Sequence, residues 1–162
     1  MSRIYISDTN IWIDFQRASL LEALFELPYL FCSTDFVASE LTEFPLKALT
    51  TLGLQIETFD GAAIGQLVEL TQQHNNSSLA DVSCYFLAQQ TGHPLLTGDG
   101  KLRRQAKQDG IEVHGVLWLL DRLIEHLVID TQTAARGLQA MLNQGARLPK
   151  AECEERLRVW TN

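Results

Sequence analysis

The sequence predicts an α/β domain with a central, mostly parallel sheet, and three observations carry that expectation. Short apolar runs of strand length alternate with longer segments whose apolar residues recur at helical spacing, the pattern of successive β–α units. Three of the short runs, RIYI, YLFC and PLLT, are almost continuously apolar, as strands covered on both faces are. After Gly115 the strand-length runs stop and only helical patterns remain, which adds a helical C-terminal tail.

The first strand is expected over residues 3–6 (RIYI). Over 12–27, Phe15, Leu20, Leu21, Leu24 and Phe25 recur at near-helical spacing until Pro28 ends the run. YLFC (29–32) is a second strand, and DFVASELTEF (35–44) reads as a helix with Phe36, Val37 and Leu41 on one side and Glu40 on or near it. LQIETF (54–59) is a third strand. A helix over 62–73 gives way to His74-Asn75-Asn76-Ser77-Ser78, the most loop-like segment. The helix SLADVSCYFLAQQTG closes at Gly92, a glycine C-cap. Residues 94–97 form a strand reaching Gly98-Asp99-Gly100, followed by the basic helix KLRRQAKQDG and a last strand over 111–113. Three helices complete the chain: VLWLLDRLIEH, TAARGLQAMLNQG and PKAECEERLRVW, the last with Pro149 in its first turn.

A chain of 162 residues, 46% hydrophobic and 20% charged, is of a size and composition for one globular domain. No run reaches the roughly 18–20 apolar residues that span a bilayer. Asp8 and Asn10 interrupt any signal-like apolar stretch at the N-terminus, so retention in the cytoplasm is expected. Cys32, Cys84 and Cys153 are odd in number and widely spaced, which disfavours a disulfide framework or a zinc ribbon. The four histidines show no metal-ligand spacing. A net charge of −7 argues against a broadly basic nucleic-acid surface, but a cluster of metal-binding carboxylates would itself contribute negative charge.

Asp8 follows the first strand, Asp99 follows PLLT, and Asp81 opens the helix before that strand. In open parallel sheets, ligands bind beyond the carboxyl ends of the strands. Glu40, on an intervening helix, can reach the same edge. Four oxygen donors there suit Mg²⁺ or Mn²⁺. Each acid also has an ordinary explanation: Asp8 and Asn10 as helix caps, Asp81 within a capping box opened by Ser78, Asp99-Gly100 as a turn, and Glu40 as a solvated charge. Their order and context carry the case.

In those segments the chain resembles the PIN-domain family, metal-dependent nucleases that include the VapC-type toxins of bacterial toxin–antitoxin pairs. ISDTNIWIDF, FVASEL and SLADVSCYFLAQQTGHPLLTGDGKLRRQA carry the resemblance, which spans residues 1 to about 115. Gly100 departs from it, since many relatives have a bulkier or charged residue there. The resemblance implies a three-layer α/β/α fold over 1–135, with 136–162 as a helical extension packed on the same domain. It implies that Asp8, Glu40, Asp81 and Asp99 are catalytic metal ligands, with Glu40 acting through water or orienting it. Asn10 and Thr97 would hold the carboxylates in place. The implied reaction is hydrolysis of RNA, leaving a 5′-phosphate. Lys101, Arg103 and Arg104, with Lys107, would hold substrate phosphates, although a helix spreads them over more than one face.

A haloacid-dehalogenase-like phosphatase wants an acid where Asn10 stands, and TGDGK lacks the first glycine and the Ser/Thr of a P-loop. The remaining alternative is a PIN-like module that binds RNA or protein without cutting. An antitoxin protein or a second copy of the chain is an expected partner, and the apolar faces of 116–127 and 138–142 are the surfaces considered for it.

Overall fold

The structure is a computed structural model that describes residues 3–41 and 46–162. Strands β1 (Arg3–Ser7), β2 (Tyr29–Thr34), β3 (Gln55–Glu57), β4 (Leu95–Leu96) and β5 (Val113–His114) form one sheet in the order β3-β2-β1-β4-β5. Every pairing is parallel. The helices are α1 (Thr9–Arg17), α2 (Leu21–Leu24), α3 (Asp35–Glu40), α4 (Leu46–Leu52), α5 (Gly61–Gln73), α6 (Leu79–Thr91), α7 (Gly100–Gln108), α8 (Val116–Glu125), α9 (Thr131–Asn143) and α10 (Lys150–Trp160). They flank the sheet, giving the parallel α/β domain that the alternating pattern predicts and the three-layer α/β/α arrangement that the resemblance implies. No helix among the described residues is long and apolar enough to cross a membrane.

The strand order fixes where a site can form. From β1 the chain builds outward through β2 to β3, then returns to the other side of β1 for β4 and β5. The reversal lies between β1 and β4, where Ser7 pairs with Leu96 at the carboxyl ends of both strands. A crevice opens at such a switch point because the two connections leave in opposite directions. Helix α6, buried from Ala80 to Ala88, packs across β1, β2 and β4 and brings its N-terminus to that crevice.

Four local expectations are corrected. The single helix expected over 12–27 breaks into α1 and α2, because Ser19 takes the left-handed conformation (φ 58°) and the Leu20 amide donates back to Phe15 O at 2.9 Å. The turn sends Leu20 against Gly137 of α9, where a Cβ would lie 2.6 Å from Leu20 Cδ1. The strand expected over 111–113 is displaced to β5, because the Ile111 amide donates to Ala106 O at the end of α7. Helix α4 lies where no element was expected. Pro149 is the N-cap of α10 rather than part of its first turn. The helix predicted over 35–44 is seen as the shorter α3, which ends at Glu40 with Leu41 as its C-cap; residues 42–44 lie outside the described residues.

The apolar faces of 116–127 and 138–142 are spent on the core: Val116, Leu117, Leu119, Leu120, Leu123, Leu138 and Met141 are buried. Leu127 alone stands out, 90% exposed. Helix α9 runs unbroken through residue 135 and packs on α1, α8 and α10. All three cysteines are buried free thiols.

Candidate active site

Among the described residues, the buried polar side chains are Ser7, Asp8, Thr9, Ser33, Thr34, Asp81, Ser83 and Thr97. All of them lie at or just beyond the carboxyl ends of β1, β2 and β4, or in the first turns of α6. Burying polar groups is costly unless they are hydrogen-bonded, and Ser7, Asp8, Ser33, Thr34, Ser83 and Thr97 bond among themselves. Trp12 Nε1 donates to Ser33 Oγ at 3.0 Å, and Ser33 Oγ donates to Ser7 O at 2.6 Å. Thr34 and Ser83 share a hydrogen bond at 2.7 Å. The sheet edge is thus a rigid polar floor beneath the acids.

Asp8 is fully buried and caps α1, accepting from the Ile11 amide at 3.1 Å. Its other oxygen accepts from Thr97 Oγ1 at 2.6 Å and from the Gly98 amide at 3.2 Å. Of the two residues expected as caps, Asp8 takes the position and Asn10 lies within the first turn of α1. Burial pushes its carboxyl above the ordinary range; the three hydrogen bonds oppose that and Asp99 adds to it. Thr9 Oγ1 donates to Glu40 Oε2 at 2.8 Å, which ties the exposed Glu40 to the residue beside Asp8.

Asp99 caps α7, accepting from the amides of Lys101 and Leu102 at 2.9 and 3.2 Å. Its second oxygen accepts from Ser77 Oγ at 2.6 Å. Asp81 sits in the first turn of α6, where Ser78 caps its amide at 3.0 Å. Burial, then repulsion from Asp8, Asp99 and Glu40, pushes its carboxyl up to about 7, against a hydrogen bond from the Ser78 hydroxyl that favours the charged form. The four acids are close enough to act on one another.

Asn10, Asp14, Asp81 and Asp99 line a cleft of about 390 Å³ above this floor, with Arg147 across from them. Asp14 is a fifth acid that sequence reasoning missed. It lies four residues after Asn10, so one turn of α1 puts both on the same face. Burial raises its carboxyl to about 6, with Arg17 opposing and Asp8 adding. Ser77 and Thr9 were also missed; nothing in their local sequence marks them as partners of Asp99 and Glu40. Thr97 holds Asp8 as expected, whereas Asn10 reaches no carboxylate by a hydrogen bond among the described residues.

Arg103, Arg104 and Lys107 line a second, larger cleft of about 790 Å³ along one face of α7. Lys101 lines neither cleft; its amide bonds Asp99, and its position turns its side chain to another face.

A family model described as a PIN domain matches residues 4–162. The chain belongs to the PIN-domain family. No curated protein sequence matches it at significant similarity. Among solved structures, this PIN domain is similar to a PilT N-terminus domain protein, SSO1118, from the hyperthermophilic archaeon Sulfolobus solfataricus P2. The two share 14% identity over 76% of this chain and 95% of that one, with a TM-score of 0.54. At that identity the likeness shows the fold.

The PIN fold is nuclease-like, and PIN domains typically use divalent metals. Among the described residues, no three Asp, Glu, His or Cys side chains are gathered into a formed ligand cluster. The chemistry of the donors nevertheless fits such an ion. Asp14, Asp81 and Asp99 in the cleft, with Asp8 and Glu40 beside them at the sheet edge, offer only hard oxygen ligands, which suits Mg²⁺ or Mn²⁺ over zinc. Asp81, buried and repelled by three neighbouring acids, is the group a cation would relieve most.

Proposed function

We propose that the chain is a metal-dependent endoribonuclease that hydrolyses RNA phosphodiester bonds, with Asp8, Glu40, Asp81 and Asp99 holding Mg²⁺ or Mn²⁺. The observation that carries this reading is Asp81: a carboxyl pushed up to about 7 by burial and by three other acids at the sheet's switch point. A binding module has no use for carboxylates arranged to repel one another. The bound cation would supply an activated water and offset charge developing on the phosphodiester.

The chain's own residues divide that work. Thr97 and the Gly98 amide fix Asp8, and Ser77 with two backbone amides fixes Asp99. Asp81 and the exposed Glu40 are less restrained and can adjust to what binds between them. The deciding experiment incubates a panel of RNAs with the protein in Mg²⁺, Mn²⁺ or EDTA, beside Asp81→Asn. Metal-dependent cutting that Asp81→Asn loses is expected. No cleavage of any RNA, with the protein folded, would leave the alternative of an inactive RNA- or protein-binding PIN module.

We extend the reading to a toxin held in check by an antitoxin protein. Growth arrest on expression, relieved by Asp99→Asn, is the expected phenotype. Asn caps a helix about as well as Asp, so this variant spares α7 while removing the charge.

A further inference from the structure

The two clefts share Gly98, Ala146, Arg147 and Leu148, so they adjoin along these residues and are taken together as a trough. At one end are the acids, and beyond the shared residues the lining is cationic. Arg103, Arg104 and Lys107 line it from α7, and Arg147 lies at the junction. None of these four pairs with a carboxylate among the described residues. Arg156 also reaches the trough, but its charge is engaged by Asp121 at 2.7 and 3.1 Å. Glu152 is the one carboxylate that lines the larger cleft. In a chain of net charge −7, four unpaired cations facing one cleft are a concentrated exception.

The wall that carries Arg147 is held in place. Gly145, with φ 91°, turns the chain at the end of α9, and the Ala146 amide donates to Met141 O at 3.0 Å. Arg17 Nη1 donates to Gln144 O and Gln144 Nε2 donates to Arg17 O, each at 3.2 Å, clamping this turn to the end of α1. On the far side, the Arg156–Asp121 pair and buried Cys153 and Trp160 anchor α10. The C-terminal helices therefore hold the backbone at Arg147 beside the cleft that Asp14, Asp81 and Asp99 line.

We infer that the α9–α10 connection and α7 form a phosphate track, which holds the backbone of a single-stranded nucleic acid on its way into the carboxylate cleft, with Arg147 at the entrance. The identity of the strand as nucleic acid rests on the proposed nuclease reading. Guanidinium forks match phosphate oxygens, and spaced cations along a groove follow a polyanion without reading its bases. The stacked rings of His114 and Trp118, 4.0 Å apart, line the same cleft beyond the junction. An acidic protein segment would match the charge, but not the continuity with the acids that a phosphodiester must reach.

The test is anisotropy of a fluorescein-labelled oligouridylate of about 12 nucleotides, with the full chain in EDTA, over a range of salt. Arg104→Glu, Lys107→Glu and Arg147→Glu are compared with Arg136→Glu, an exposed α9 residue that lines neither cleft. All four change the net charge equally, so only location separates them. Each trough variant is expected to weaken binding roughly tenfold and to lower the salt slope by about 0.7 per lost contact, while Arg136→Glu binds as the wild type. Equal weakening by all four, or by none, overturns the track. So does a polyglutamate peptide that binds the trough when the oligonucleotide does not. Cleavage in Mn²⁺ by Arg147→Glu with unchanged KM would sink the track and spare the nuclease. Trough-dependent binding without cleavage in any metal would do the reverse.

Discussion

The Thr97 hydroxyl donates a 2.6 Å hydrogen bond to Oδ2 of Asp8, across 89 positions of sequence. The same hydroxyl oxygen accepts from the Asp99 amide at 3.1 Å. One buried hydroxyl thus sets two acids at once, and it can do so because β1 and β4 are paired neighbours that end in register, Ser7 opposite Leu96. The topology of the sheet, rather than any local motif, brings Asp8 and Asp99 into one site.

Thr97→Val keeps the shape but leaves the Asp8 oxygen short of a donor and the Asp99 amide without its acceptor. An unsatisfied buried polar group costs about 1–3 kcal/mol, so urea unfolding should show a loss in that range. Thr97→Ser, which retains the hydroxyl, should recover most of it. Equal stabilities for the two variants would mean that the bridge contributes nothing.

Asp81 makes a pH prediction whose sign follows from its raised carboxyl, at about 7 against an ordinary 3.8. The folded chain holds a proton there that the unfolded chain has released, so stability falls as pH rises between those values. The penalty is absent below pH 3.8 and fully present above 7. In EDTA, the melting temperature should therefore decline from pH 4.5 toward pH 7.5, with a shallower decline in Asp81→Asn. At pH 8 that variant should be the more stable by on the order of 1–4 kcal/mol, since every tenfold change in proton affinity corresponds to about 1.4 kcal/mol. A wild type at least as stable as the variant at pH 8 would remove the repulsion argument.

Asp8, Asp81 and Asp99 were legible because each acid stands at the end of an apolar run or the start of a helix, a placement that a parallel sheet converts into one edge. Helices α6 and α7 were legible for a similar reason, since their caps Ser78 and Asp99 are local signals. The break at Ser19 was not, because the apolar spacing of Leu20, Leu21 and Leu24 continues straight through it. The turn sets Leu20 against Gly137, over a hundred residues away, a contact that local sequence does not show. Asp14 and Arg147 were missed on the same ground: neither belongs to a motif, and they face the acids only once α1 and the end of α9 are clamped together.

Gly137 tests whether the C-terminal helices stand or fall with the sheet. A Cβ at this position would lie 2.6 Å from Leu20 Cδ1 and 3.5 Å from Ala18 Cβ. Gly137→Val forces the buried Leu20 side chain away, and overpacking of this kind costs about 1–3 kcal/mol. The variant should unfold at lower urea in a single transition, with circular dichroism and tryptophan fluorescence coinciding. A separate early transition confined to the tail would show that 136–162 is an independent appendage.

A divalent cation should reverse the Asp81 prediction. Neutralising the mutual repulsion removes the reason its carboxyl is raised, so the charged form becomes the stable one and the pH decline flattens. An ion that binds only the folded chain at about 100 times its Kd adds about 2.7 kcal/mol, which for a domain of this size corresponds to a rise of roughly 5–10 °C. Mn²⁺ should therefore raise the melting temperature of the wild type at pH 8 by that amount and that of Asp81→Asn by far less. The order of stability would then invert: the variant is the more stable protein in EDTA and the less stable one in Mn²⁺. Nonspecific ion binding to an acidic surface would shift both proteins alike and leave the order unchanged, so the crossing itself is the signature of a cation held by Asp81.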